Sequence, residues 1–239
     1  MGPTEQLHIE RTVPDARVDR AEALRYIGYA GQQIDDVLSA RFDRVIEHCE
    51  QVASPSYAYR IMPLERTDEG MHLVGSTLTL PGSDIARHLD GASACGVLVC
   101  TLGLSYEREL QQLNRRNELD GLLFGTAGSS LVESVADICE TAIVAKAAAA
   151  GLRTNTRFSP GYGDLPLTLQ PLILDVLDAP RRLGVIANDS NLLIPTKSTT
   201  AFIGLFDSDH LVSSVKQSCA QCPCKSHCTL RKQGTPCYR

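Results

Sequence analysis

The sequence predicts a mixed α+β body followed by a short cysteine-rich tail, and three observations carry that prediction. Apolar residues recur at helical steps over 18–52 and again over 105–151. Runs of strand composition stand between and after them, at 72–80, 95–103, 182–187 and 199–206. Five of the nine cysteines crowd into the last 21 positions. At 239 residues, one main domain over 1–213 with an appendage over 214–239 is expected. With 43% hydrophobic and 21% charged residues, neither disorder nor a fibrous repeat is. Few aromatics, no Trp and a net charge of −5 weigh against a nucleic-acid partner.

Each element has its own signal. Over 18–52, Leu24, Ile27, Ile34, Leu38, Phe42, Val45 and Ile46 mark two helices, with Gly28 and Gly31 at the break. His72 to Leu80 reads as one strand ended by Pro81-Gly82, and the continuous apolar run Cys95 to Gly103 reads as a strand covered on both faces. A charged helix is expected over 105–116, and a longer one through about Gly151, with Leu131, Val135, Ile138, Ala142 and Ile143 on its core stripe. On another stripe of that helix stand Glu133, Asp137 and Glu140. This row reads as a solvated face, as a surface for a cationic ligand, or, for Glu133, as part of a Ser130–Glu133 capping box. A polar Gly- and Pro-rich loop follows over 152–166, then a short helix from about Pro171 to Leu177, then a turn at Asn188–Asn191 between strands 182–187 and 199–206.

Cys49, Cys95, Cys100 and Cys139 lie singly among apolar residues and read as small core hydrophobes. The first 13 residues hold no signal-peptide core, and Thr141–Leu152, interrupted by Lys146, is too short to span a bilayer. A cytoplasmic protein without a membrane span is therefore expected. Neither a phosphate-binding loop, a dinucleotide fingerprint nor a nucleophile elbow stands in the chain: Pro195-Thr-Lys-Ser-Thr199 follows no glycine framework, and Gly161 and Gly163 lack a βα context.

The loop Arg157-Phe-Ser-Pro-Gly-Tyr-Gly-Asp-Leu-Pro166 is the most informative stretch of the body. It resembles the Arg-x-x-Pro-Gly-Tyr loop of the activation domain of cobalamin-dependent methionine synthase, which binds S-adenosylmethionine (AdoMet). The segment Leu193 to Gly204 is similar to that family's Pro-x-x-Ser strand, and Glu133 to Asp137 sits where its acidic helix would. The resemblance spans roughly residues 15–207.

It implies a twisted, mainly antiparallel sheet flanked by helices. It also implies that AdoMet is presented to the cob(II)alamin of a corrinoid protein for reductive methylation, with flavodoxin or ferredoxin as electron donor. The AdoMet residues so implied are Arg157, Ser159, Pro160, Gly161, Tyr162, Glu133, Asp137 and Ser198. Arg157 suits a carboxylate, Pro160-Gly161 a close backbone approach, and Tyr162 an apolar edge. Read without the resemblance, Arg157 is a surface arginine near a helix end. The chain holds no counterpart of the family's cobalamin-binding domain, so a separate corrinoid subunit would be the client, that of methionine synthase or of another methyltransferase system. The aromatic pair that follows the second strand in the family is absent, since Phe206 leads into Asp-Ser-Asp-His.

In the tail, Cys219-x2-Cys222-x-Cys224-x3-Cys228-x8-Cys237 brings soft thiolates to short spacings suited to one metal centre. Cys219, Cys222, Cys228 and Cys237 are the expected ligands. A [4Fe–4S] cluster fits better than zinc, because only one Cys-x2-Cys knuckle is present. From Lys216 onward there are five basic residues and no acid, which would offset a thiolate-ligated centre. The alternative is a non-catalytic zinc-binding adaptor.

Overall fold

In a computed structural model of the protein, residues 7–11, 13 and 15–207 are described. The cysteine-rich tail, with Cys219, Cys222, Cys228 and Cys237, lies outside the described residues.

After a short strand β1 (His8–Glu10), helices α1 (Arg20–Tyr26) and α2 (Asp36–Val52) form as expected. Asp19 and Asp35 cap them, accepting from the N–H groups of Glu22 and Leu38. The break between the helices rests on Gly28 and Gly31, at φ of +83° and +95°, where a side chain would be strained. Next comes β2 (Ser56–Thr67), a twelve-residue strand that the sequence signals do not reveal. The run 72–80, expected as one strand, is a hairpin of β3 (Gly70–Leu73) and β4 (Thr79–Leu80). Its turn closes through the Ser76 N–H and hydroxyl, both donating to the Leu73 carbonyl.

Helix α3 (Ser83–His88) leads into β5 (Ala94–Thr101), which is covered on both faces as expected. Helices α4 (Gly103–Arg116) and α5 (Glu118–Ala149) follow. The cap of α5 is Asn117, whose side chain accepts from the Asp120 N–H. Ser130 therefore lies mid-helix, its hydroxyl bonded to the backbone of Asp19, and the Ser130–Glu133 capping box does not exist. Gly151 ends α5 at φ +74°. Of the loop 152–166, the first residues form β6 (Leu152–Thr154). After a 3-10 turn (Leu167–Leu169) come α6 (Gln170–Val176) and α7 (Ala179–Leu183). The expected strand 182–187 shrinks to β7 (Ile186–Ala187) and pairs with β8 (Leu193–Ile194), not with β9 (Ser198–Asp207).

The main sheet runs β4-β3-β2-β5-β9-β6, with β1 also paired to β2, and every pairing is antiparallel. Pro63 falls between the β2 residues paired with β1 and those paired with β3. Strand alternation divides the core in two. Tyr57, Tyr59, Leu98, Cys100, Ala201 and Ile203 face α1, α2, α4 and α5, whereas Ala58, Met62, Val97, Val99 and Phe202 face α3, α6 and α7. Each fully buried Leu, Ile or Phe on either side stabilises the fold by about 1.5–3 kcal/mol. Gly96 lets α5 close on the sheet, since a Cβ there would stand 3.1 Å from Ile143. Cys49, Cys95, Cys100 and Cys139 are buried thiols, as expected.

α5 is long and apolar enough to cross a membrane by length and composition, but 61% of its apolar window is buried in the protein. It is the core helix against which the sheet and three other helices pack.

Candidate functional site

The site begins with a four-residue rhythm along α5. Gly121, Gly125, Ser129, Glu133 and Asp137 follow one another at i, i+4 and so stack along one side of the helix. The first members carry little or no side chain, and they leave a groove of about 730 Å³ against the N-terminal end of β9. That volume lies within the usual range of small-molecule sites. Tyr26, Ser129, Glu133, Lys197, Ser198 and Thr199 are among its lining residues.

Beside Glu133, and outside the groove lining like Asp137 and Glu140, stands Arg157. The chain reaches it by running antiparallel to β9 beyond β6: Asn155 exchanges hydrogen bonds with Gly204, and Phe158 makes a reciprocal pair with Phe202, both at 2.9 Å. Phe158 enters the α6-side core. Its neighbour Arg157 therefore projects to the opposite face, onto α5. There its Nη2 donates to Asp137 Oδ1 at 2.7 Å and Glu133 Oε2 at 3.3 Å, and Nε pairs with Glu140 Oε2 at 3.3 Å. One guanidinium thus meets three carboxylates and leaves the cluster with a net negative charge. Burial pushes the carboxyl groups of Glu133 and Glu140 up, and Arg157 offsets part of that shift. Arg157 Nη1 is enclosed without a hydrogen-bond partner.

Beyond Phe158 the Pro-Gly-Tyr loop is built from backbone. Tyr162 N–H donates to the Ser159 carbonyl at 3.1 Å, Gly161 N–H to the Leu165 carbonyl at 2.8 Å, and Leu165 N–H back to Tyr162 at 3.1 Å. Gly161 and Gly163 adopt φ of +92° and +53°. At Gly163 a Cβ would also stand 2.2 Å from Asp84 Oδ2. Asp164 pins the loop to α3, accepting from Ser83 N–H at 2.6 Å, Ser83 Oγ at 2.9 Å and Asp84 N–H at 3.0 Å. These donors hold its carboxyl below the ordinary aspartate range. Pro160 is buried, and Tyr162 is 54% exposed, its ring in a T-shaped contact with Phe158, 6.2 Å between centroids.

Of the sequence-predicted residues, the structure brings Arg157, Glu133 and Asp137 into direct contact, and Glu133 and Ser198 line one groove. Ser198 Oγ donates to Thr101 Oγ1 at 2.8 Å, and strand alternation turns Thr199, not Ser198, toward α5. Ser159, Pro160, Gly161 and Tyr162 stand outside the groove lining, on the loop that leaves the sheet edge beside Phe202. Glu140 belongs to the cluster, as its place in the acidic row signals. Lys197 and Ser129 are groove residues that the motif search passes over, although Ser129 continues the i, i+4 rhythm. Among the described residues no set of His, Cys, Asp and Glu is arranged to hold a metal ion.

Comparison with solved structures finds a crystal structure of the MetH reactivation domain bound to AdoHcy, with a TM-score of 0.63. The two are 11% identical, and the match covers 87% of this chain and 80% of that one. No family model and no curated protein matches the chain. The chain thus has the fold of the MetH reactivation domain, as its loop and strand motifs led one to expect.

Proposed function

We propose that the protein is a cytoplasmic reactivation component of a corrinoid methyltransferase. It binds AdoMet as methyl donor and docks on the cobalamin-carrying subunit of a methionine synthase or of another corrinoid methyltransferase. The observation that carries this reading is the charge arrangement beside the groove: three α5 carboxylates, of which Glu133 lines the groove, share one guanidinium, in a fold whose solved counterpart holds AdoHcy. A site with surplus negative charge favours a ligand bearing a sulfonium over its neutral thioether product. Methyl transfer from sulfonium to cobalt would then weaken the product's hold on the site.

The assigned AdoMet residues divide the work. Glu133 and Asp137 face the cationic part of the ligand. Arg157 holds the acids in place. Ser159, Pro160, Gly161 and Tyr162, on the loop outside the groove lining, would reach AdoMet only from beyond the Arg157 end of the cluster, and Ser198 fixes the start of β9. The corrinoid supplies the cobalt chemistry after one-electron reduction by flavodoxin or ferredoxin, while this chain orients the methyl group. The cysteine tail, with a [4Fe–4S] cluster or zinc on Cys219, Cys222, Cys228 and Cys237, is a separate proposal from sequence, and no step here runs through it.

Anaerobic calorimetric titration of AdoMet into the wild type and into Arg157→Ala tests the reading. Binding by the wild type that is lost or greatly weakened in the variant supports it. A folded wild type that binds no AdoMet, alone or with its corrinoid partner, overturns it. A mixture with that partner, AdoMet and a low-potential donor should accumulate methylcobalamin.

A further inference from the structure

Arg157 already faces three carboxylates, and a fourth brought by a ligand would meet their repulsion before reaching the guanidinium. A second cation, in the groove lining itself, is not ringed by acids in this way. Lys197 precedes β9 and lines the groove together with Glu133. Its ammonium donates to Ser129 Oγ at 2.7 Å, and among the described residues it makes no ion pair. The acid whose charge acts on it, Glu107, is turned to Thr196, accepting from the Thr196 N–H at 2.8 Å and hydroxyl at 2.6 Å. Lys197 therefore keeps N–H donors for a ligand. Burial lowers its pKa, as expected of an ammonium whose surroundings return little charge.

Ser129, which holds Lys197, and Glu133 are one four-residue step apart on α5, about 6 Å along the axis. The groove thus presents a cation and an anion one helical turn apart, on the scale that separates the carboxylate and the sulfonium of a methionyl chain. We infer that Lys197 binds the carboxylate of AdoMet, with Ser129 positioning its ammonium, while Glu133 meets the cationic sulfur and amine. This rests on the AdoMet reading above and adds the residue that recognises the amino-acid end.

The test is calorimetry on the full chain with two probes, AdoMet and decarboxylated AdoMet, which keeps the sulfonium and amine but lacks the carboxylate. Wild type should bind AdoMet more tightly than the decarboxylated probe. Lys197→Met should lose about 10- to 100-fold in affinity for AdoMet without weakening the decarboxylated probe, so that the preference for AdoMet disappears. Lys197→Arg should retain most of the AdoMet affinity. Should Lys197→Met fail the circular-dichroism check for folding, Lys197→Gln, which can keep a hydrogen bond to Ser129, carries the same comparison. Equal AdoMet affinity in wild type and a folded Lys197 variant overturns the inference and leaves the AdoMet reading standing. So does an equal loss for both probes, because the lysine would then shape the groove without reading the carboxylate. A wild type that binds neither probe overturns both together.

Discussion

The acidic cluster on α5 and the Pro-Gly-Tyr loop adjoin through one peptide bond, yet they are held by opposite means. Arg157, Glu133, Asp137 and Glu140 are joined by side-chain charge across 17 to 24 residues of sequence. The loop from Phe158 to Leu165 is held by its own backbone, two left-handed glycines and the Asp164 cap on α3. Charge clusters can be retuned by salt, pH and a cationic ligand. The backbone hydrogen bonds of the loop carry no net charge and are far less sensitive to these, leaving the Asp164 carboxylate as its charged support. The difference separates a region that recognises from a region that frames.

The sharpest way to break this contrast is Arg157→Ala. It leaves three carboxylates together without a counter-ion, and we expect a loss of about 2–3 kcal/mol in stability, read by urea unfolding. Raising the salt concentration should recover part of the loss, and Arg157→Lys should fall in between, since one ammonium cannot span three carboxylates. A loss indifferent to salt would show that the cluster is held by packing. Gly163→Ala comes next, at about 1–2 kcal/mol, because the position combines positive φ with a close approach to Asp84. This effect should not vary with salt; if it does, the loop is not framed by backbone alone.

Asp164→Ala should cost about 1 kcal/mol, the usual value of a helix cap, and should quicken proteolysis within 159–166. The native carboxyl sits below its unfolded pKa, so the stability it contributes is present above that unfolded value and is lost as pH falls through the depressed one. The smallest effect belongs to Glu133 and Glu140, whose native pKa values are raised by burial. Between the ordinary glutamate value and the raised one the folded state binds more protons than the unfolded, so this contribution to stability declines as pH rises through that window. Ligand affinity runs the other way, since ionised acids attract the sulfonium. AdoMet binding should weaken as pH falls into the same window, and Glu133→Gln should flatten the profile.

What the sequence reveals follows the same division. The loop is legible because glycine and proline signal their roles locally, whereas Asp164 finds its partners on α3, 80 and 81 residues away, and α5 and β5 are legible from apolar content. Strand β2 is not: Tyr57-Ala-Tyr-Arg-Ile-Met-Pro-Leu64 is covered on both faces and interrupted by proline, so it shows neither alternation nor a clean apolar run. The run 72–80 hides a reversal because only Gly75-Ser76 marks it, and Gly184 rather than composition ends α7 ahead of β7. In the site, the acidic row is visible as a periodicity, but its partner is not, since nothing local in Arg157 reports which helix it will reach. Lys197 shows only a failed phosphate-loop pattern, and its surroundings come from Ser129, 68 residues away.

The adjacency of Arg157 and Phe158 has a mechanical side. With one side chain seated among carboxylates above the sheet edge and the next seated in the apolar layer below it, the dipeptide works as a rivet driven through that edge. A pull on either head loads the other. Arg157 cannot shift along α5 without drawing on the seat of Phe158, and so on the stem from which the Pro-Gly-Tyr loop leaves the sheet.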